Sequence, residues 1–138
     1  MAGDRSPASP APPEETLYER LGGIYAIATV VDEFIERLLV NDLLNQNPAI
    51  DAARDRVPKA GLKYRVTSLM AHVAGGPQQY TGRSMKESHA HLDITAREWD
   101  EMVREFVGVL NDYDVPKREQ KELLALIAPT RDDIVTIE

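Results

Sequence analysis

Apolar residues along this chain return at steps of three and four far more often than at steps of two, a period that predicts helices almost throughout. TLYER carries a capping-box spacing, Thr16 to Glu19, so a short helix is expected to start at Thr16 and stop at Gly22-Gly23. A second helix is predicted over 24–41, with Ile27, Val30, Val31, Phe34, Leu38 and Leu39 as one buried stripe. Residues 42–56 break the pattern; Asn45, Asn47, Pro48 and the alternating Asp and Arg read as a loop with space for one short turn. Pro58 suits the first turn of a helix, where its missing N–H costs nothing, and Leu62, Val66, Leu69, Met70 and Val73 then fall on one face. Gly75-Gly76-Pro77 ends that helix, and GGPQQYTGRS at 75–84 is a glycine-rich loop. MKESHAHL should form a short helix. Thr95 to Glu98 is another capping box, opening a helix over about 96–111 with Trp99, Met102, Val103, Phe106 and Leu110 inward. Pro116 opens the last helix, carrying Leu123, Leu124 and Ile127 and, past a bend at Pro129, Ile134. The expected fold is all-α and a single domain over 14–138, behind a disordered Pro-rich tail at 1–13.

Composition narrows the partners. The 138 residues are 43% hydrophobic and 28% charged, a globular balance long enough to bury a core. Sixteen basic against twenty-three acidic side chains leave a net charge of −7, which argues against nucleic acid or an anionic membrane as partner. There is no cysteine, so disulfides, thiolate metal sites and thiol nucleophiles are excluded. No segment approaches the roughly 18–20 apolar residues of a membrane span, and the first fifteen residues lack the apolar core of a secretory signal. These features fit the cytoplasm.

The only histidines are His72, His89 and His91. Residues two apart on a helix point about 200° away from each other, so His89 and His91 cannot close on one ion if MKESHAHL is helical. A three-histidine zinc site is therefore disfavoured. A single imidazole opposite an apolar wall suits haem iron, which needs only one strong axial ligand from the protein. Met85 one turn earlier and Leu92 three residues later make the face of His89 apolar enough for such a slot. Spacing alone leaves this reading open beside that of an ordinary half-buried histidine.

Four stretches carry a resemblance: LYERLGG at 17–23, VVDEFIERLLVND at 30–42, AGGPQQYTGRSMKESHAHLDIT at 74–95 and IAP at 127–129. Together they resemble the truncated haemoglobins, most closely those of the first group, over roughly residues 15–137. The resemblance implies a two-over-two helical sandwich around haem b. Residue by residue, it places His89 as proximal iron ligand, Tyr80 and Met85 along the proximal side of the haem, and Trp99 where the family usually has a Phe against the ring. Phe34 and Ile35 fall on the distal side, and Leu62, Val66 and Met70 form its wall. His91, where the family often has Gly, is expected to be exposed or near the propionates.

Departures from the family bear on mechanism. The tyrosine that usually follows the Phe of the second helix is Ile35 here, a frequent Gln is Val66, and LLNQNPAI replaces an aromatic pair, with a small insertion. An apolar distal pocket is implied. Tyr64, two residues before Val66, should face outward, and His72 lies about 9 Å along the helix from Val66, too far for a second axial bond. Lys63 and Arg65 have the reach to pair with haem propionates or form a solvated face. With no Cys and no histidine near the C-terminus, no side chain is available for a thioether or histidine link to haem. The expected function is a pentacoordinate haem protein binding O2, CO and NO in the oxygen-carrier class, a monomer or weak dimer. The alternatives are a redox enzyme, of NO dioxygenase or peroxidase type and served by an unidentified reductase, and a gas sensor. An interaction module that has lost haem is a fourth.

Overall fold

In a computed structural model of the protein, residues 15–82 and 84–138 are described. The expected tail at 1–13 lies outside them. Nine α-helices and two short strands occur among these residues: α1 (Leu17–Arg20), α2 (Gly23–Leu39), α3 (Asp42–Asn45), α4 (Pro48–Arg56), α5 (Lys59–Val73), α6 (Met85–His89), β1 (Ile94–Thr95), α7 (Ala96–Asp112), α8 (Lys117–Ile127), α9 (Arg131–Ile134) and β2 (Val135–Ile137). A 3-10 turn, Ala128–Thr130, joins α8 to α9 at the bend expected from Pro129.

Local chemistry accounts for the helix starts. Thr16 and Thr95 form complete capping boxes with Glu19 and Glu98, as their spacing predicts, and Ser84 forms a third with Glu87. Pro58 and Pro116 sit one residue outside their helices. Gly75, at φ 94°, ends α5 in the left-handed conformation, and Gly76 after it lets the chain pass close to α1, since a Cβ there would lie 2.5 Å from the Tyr18 ring. The Tyr18 N–H donates to the Ala74 carbonyl at 2.8 Å, so α1 and the end of α5 are held backbone to backbone. At the opposite end of α1, the Arg20 guanidinium donates to Glu119 and Glu122 of α8, each at 2.6 Å.

The core is in two parts. The first joins α2, α5, α7 and α8 through Ile27, Val31, Phe34, Ile35, Met70, Phe106, Leu110 and Leu123. Phe34 and Phe106 meet edge to face with centroids 5.0 Å apart, a contact worth about 0.5–1.5 kcal/mol beyond its burial. The second is smaller: Ile94, Trp99, Ile134 and Val135, with Ile50, Met85, Leu92 and Val103 against it. Met102 and Ile127 pack against both.

Four expectations change. Residues 42–56 are not a loop but two helices, because Asn41 and Asn47 cap them with their side chains and Pro48 begins the second. The helix expected over 85–92 stops at His89, where the Leu92 N–H turns back to the His89 carbonyl at 3.0 Å. Val73, placed on the buried face of α5, is 37% exposed in the last turn of that helix. Finally, β1 and β2 pair in parallel, Ile94 with Val135, an element too short for a two-residue period to reveal.

Candidate functional site

His89 is the last residue of α6, and the capping box at Ser84 starts that helix only five residues earlier. Its Nδ1 lies 2.8 Å from the Met85 carbonyl oxygen. A carbonyl only accepts, so Nδ1 carries the proton and Nε2 keeps its lone pair. The ring is half-buried, and burial lowers its pKa by disfavouring the imidazolium. The hydrogen bond to Met85 opposes that shift, and the charge of nearby His91 adds to it. The result is a neutral imidazole with its free nitrogen set in one tautomer, the form a metal ligand must take. Among the described residues no three His, Asp or Glu side chains gather, so a metal at His89 must bring its other ligands with it. Haem iron does so, and a neutral imidazole with a free Nε2 is a ligand of the kind it takes.

The other predicted site residues divide between the two parts of the core. Phe34, Ile35 and Met70 are buried in the first, with Leu62 and Val66 half-buried against it. Trp99 is buried in the second, with Met85 packed on it. Tyr80 is half-buried in the loop before α6, its hydroxyl 2.5 Å from where a Cβ on Gly82 would stand. Met85 and Leu92, on either side of His89, thus pack against the smaller cluster, and the residues assigned to the distal wall lie in or against the larger one.

The flanking polar side chains are directed elsewhere. Tyr64 is 72% exposed, as its offset from Val66 predicts. His72 is exposed and its Nδ1 lies 3.1 Å from the Gln78 carbonyl oxygen. His91 is exposed. Lys63 pairs through its ammonium with Asp32 at 2.7 Å and Glu36 at 2.6 Å, clasping α5 to α2. Arg65 is exposed. Two buried residues near the His89 segment carry contacts that the sequence reading does not give them: Asn47, read there as loop, and Glu98, read there only as the capping partner of Thr95. The Asn-Pro step at 47–48, a helix cap followed by a first-turn proline, is the signal that could have found the first of them.

A family model, the bacterial-like globins, matches residues 16–136. The group 1 truncated hemoglobin GlbN of Synechocystis sp. is 30% identical over 118 residues, covering 82% of this chain and 86% of its own. The group 1 truncated hemoglobin GlbN of Mycolicibacterium paratuberculosis is 29% identical, covering 89% and 86% respectively. In fold, the chain superposes with a TM-score of 0.77 on the Fe(III) truncated hemoglobin of Tetrahymena pyriformis, at 22% identity, 88% coverage of this chain and 98% of that one. The 2/2 hemoglobin of Synechococcus sp., in the cyanomet state with covalently attached heme, gives 0.78 at 24% identity and the same coverage. The two-over-two helical sandwich is thereby the architecture of this protein. The chain belongs to the bacterial-like globin family as a truncated haemoglobin of group 1, a haem-binding globin.

Proposed function

We propose that this globin binds haem b through the Nε2 of His89 and takes diatomic gases (O2, CO and NO) at a pentacoordinate iron. The observation that carries the reading is the 2.8 Å bond from His89 Nδ1 to the Met85 carbonyl, which leaves Nε2 unprotonated. Haem, when bound, supplies an iron whose sixth position accepts a small gas. The protein's part is to hold the ring with one imidazole, to surround it with apolar side chains, and to present Ile35, Leu62 and Val66 on the opposite wall. We take the haem to be held without a covalent link, a reading supported by the absence of cysteine and of histidine in the segment 117–138.

A wall of aliphatic side chains affects gases unequally. Dioxygen gains partial negative charge on ligation, and a hydrogen-bond donor to it is worth about 1.5–3 kcal/mol. Without a donor, oxygen is held roughly ten- to a hundred-fold more weakly, at about 1.4 kcal/mol per decade. Carbon monoxide and nitric oxide lose less. The same lack of an acid–base group disfavours peroxide cleavage and dioxygenation of nitric oxide, which would also need a reductase. Reversible gas binding in the oxygen-carrier class is the reading we favour. We assign it to the cytoplasm as a monomer or weak dimer; no helix of the described residues is long and apolar enough to cross a membrane.

Optical spectra test the ligand directly. The purified protein reconstituted with haem b should show a Soret band and a ferrous CO complex. His89→Gly should lose tight haem binding and recover it with added imidazole. An unchanged haem spectrum in His89→Gly would remove His89 from the iron.

A further inference from the structure

The segment that carries His89 is secured by a side chain from a different part of the chain. After His89 the backbone turns within a few residues, and Asp93 sits at φ 51°, a left-handed conformation that Asp and Asn take more readily than other non-glycine residues. The side chain of Asn47 reaches into this turn: its Nδ2 donates to the Leu92 carbonyl at 2.9 Å and to Glu98 Oε1 at 3.2 Å. Its Oδ1 accepts from the backbone N–H groups of Ala49 and Ile50, at 2.9 and 3.3 Å. All four hydrogen-bonding positions of the amide are therefore filled. Its orientation is unambiguous as well, because two partners can only donate and two only accept at neutral pH. Glu98 Oε1 also accepts the Thr95 N–H at 2.9 Å, so the same network holds the start of α7. Asn47 is 8% exposed.

We propose that Asn47 is the positioning residue for the proximal histidine, acting through the Leu92 carbonyl and the turn that ends α6. The inference rests on the assignment of His89 as haem ligand. The Leu92 N–H is already bound to the His89 carbonyl at 3.0 Å, so the peptide groups on either side of Leu92 tie His89 to Asn47. Ile50, one turn into the helix that Asn47 caps, packs against the same apolar cluster as Met85, Leu92 and Trp99. Helix α4 thus buttresses the iron-ligand segment from a stretch of sequence without haem-lining residues of its own. Removing the amide donor leaves the half-buried Leu92 carbonyl without this partner and frees the turn to relax, which re-aims the imidazole.

Asn41 supplies a matched control. It is 7% exposed, its Oδ1 caps α3 through the Leu44 N–H at 3.0 Å, and its Nδ2 donates to Glu101 at 2.7 Å and Glu105 at 2.8 Å. It does for α3 what Asn47 does for α4, without touching the 89–93 turn. Serine retains an N-cap oxygen but no amide donor at either place. The experiment compares Asn47→Ser and Asn41→Ser as full-length haem-loaded proteins. It reads the iron–histidine stretching band of the ferrous form by resonance Raman, and haem transfer to an apomyoglobin scavenger. In Asn47→Ser the band shifts or splits and haem loss accelerates about 10- to 100-fold, the usual range when a metal ligand loses its outer support. In Asn41→Ser the band stays in place. A band unmoved in Asn47→Ser, or moved equally in both variants, overturns the inference. Should Asn47→Ser not fold, the unsubstituted CO form decides by NMR: slow exchange of the Asn47 side-chain amide protons supports the network, and fast exchange removes it. A native protein with haem but no iron–histidine band overturns the His89 assignment itself, a result distinct from a native band that Asn47→Ser leaves unchanged.

Discussion

Ile35 occupies the position next to Phe34 and is only 3% exposed, so its aliphatic chain is either core filling or part of the gas pocket. The two roles separate on substitution. If Ile35 faces the pocket, Ile35→Tyr finds space for its ring and presents a hydroxyl to the sixth position, and oxygen release slows about ten- to a hundred-fold. If the side chain only fills the core, the larger ring strains it by about 1–3 kcal/mol and leaves release unaltered. Flash photolysis of the CO form followed by oxygen displacement measures the rate, and we expect the slowed one. At this scale the sequence was informative wherever a residue acts through its own type: an imidazole with Met85 and Leu92 on its face already marked His89 as a candidate ligand, while the bond to the Met85 carbonyl that sets its tautomer came from the structure. It was uninformative about Lys63, whose partners Asp32 and Glu36 lie on a different helix.

Helices α3 and α4 show how short elements survive. Neither contains enough apolar surface to be stable alone, and each depends on one buried asparagine at its start. Asn41 also links α3 to α7 through Glu101, whose carboxyl falls from an ordinary 4.5 to about 2 because Arg104 and Asn41 both donate to it. A carboxyl depressed in the folded state adds stability that is complete above about 4.5 and is lost as pH falls through about 2. Urea midpoints measured from neutral pH downward should therefore show Glu101→Gln less stable than the native chain near neutrality. That gap should close progressively across this acid window; a gap independent of pH would disprove the linkage. The capping boxes at 16–19 and 95–98 were visible in advance because donor and acceptor lie three residues apart. The asparagine caps at 41 and 47 are equally local, but the bonds their side-chain N–H groups donate to α7 and to the 92–93 turn are long-range, and chain order does not name those partners.

The molecule as a whole is two apolar bodies sharing Met102 and Ile127, and its C-terminus closes the smaller one. Val135 is buried there and pairs with Ile94, two residues past the turn that follows α6. Removing residues 135–138 should cost about 1.5–3 kcal/mol, the burial of one valine-sized side chain, and speed haem loss while leaving helical circular dichroism nearly intact. Haem retention equal to that of the full chain would show that β2 does not support the proximal side. The amino-acid order by itself determined the long helices, their buried stripes and the candidate ligand, because three- and four-residue periods and capping pairs are local, and each residue's partner is a near neighbour. Only the tertiary structure decided that the 42–56 stretch is helical, that Lys63 clasps α2, and that Asn47 holds the turn beside His89. Those outcomes depend on groups 27 to 64 residues apart meeting in space, where a polar atom withdrawn from water must find a partner and the chain order does not name it.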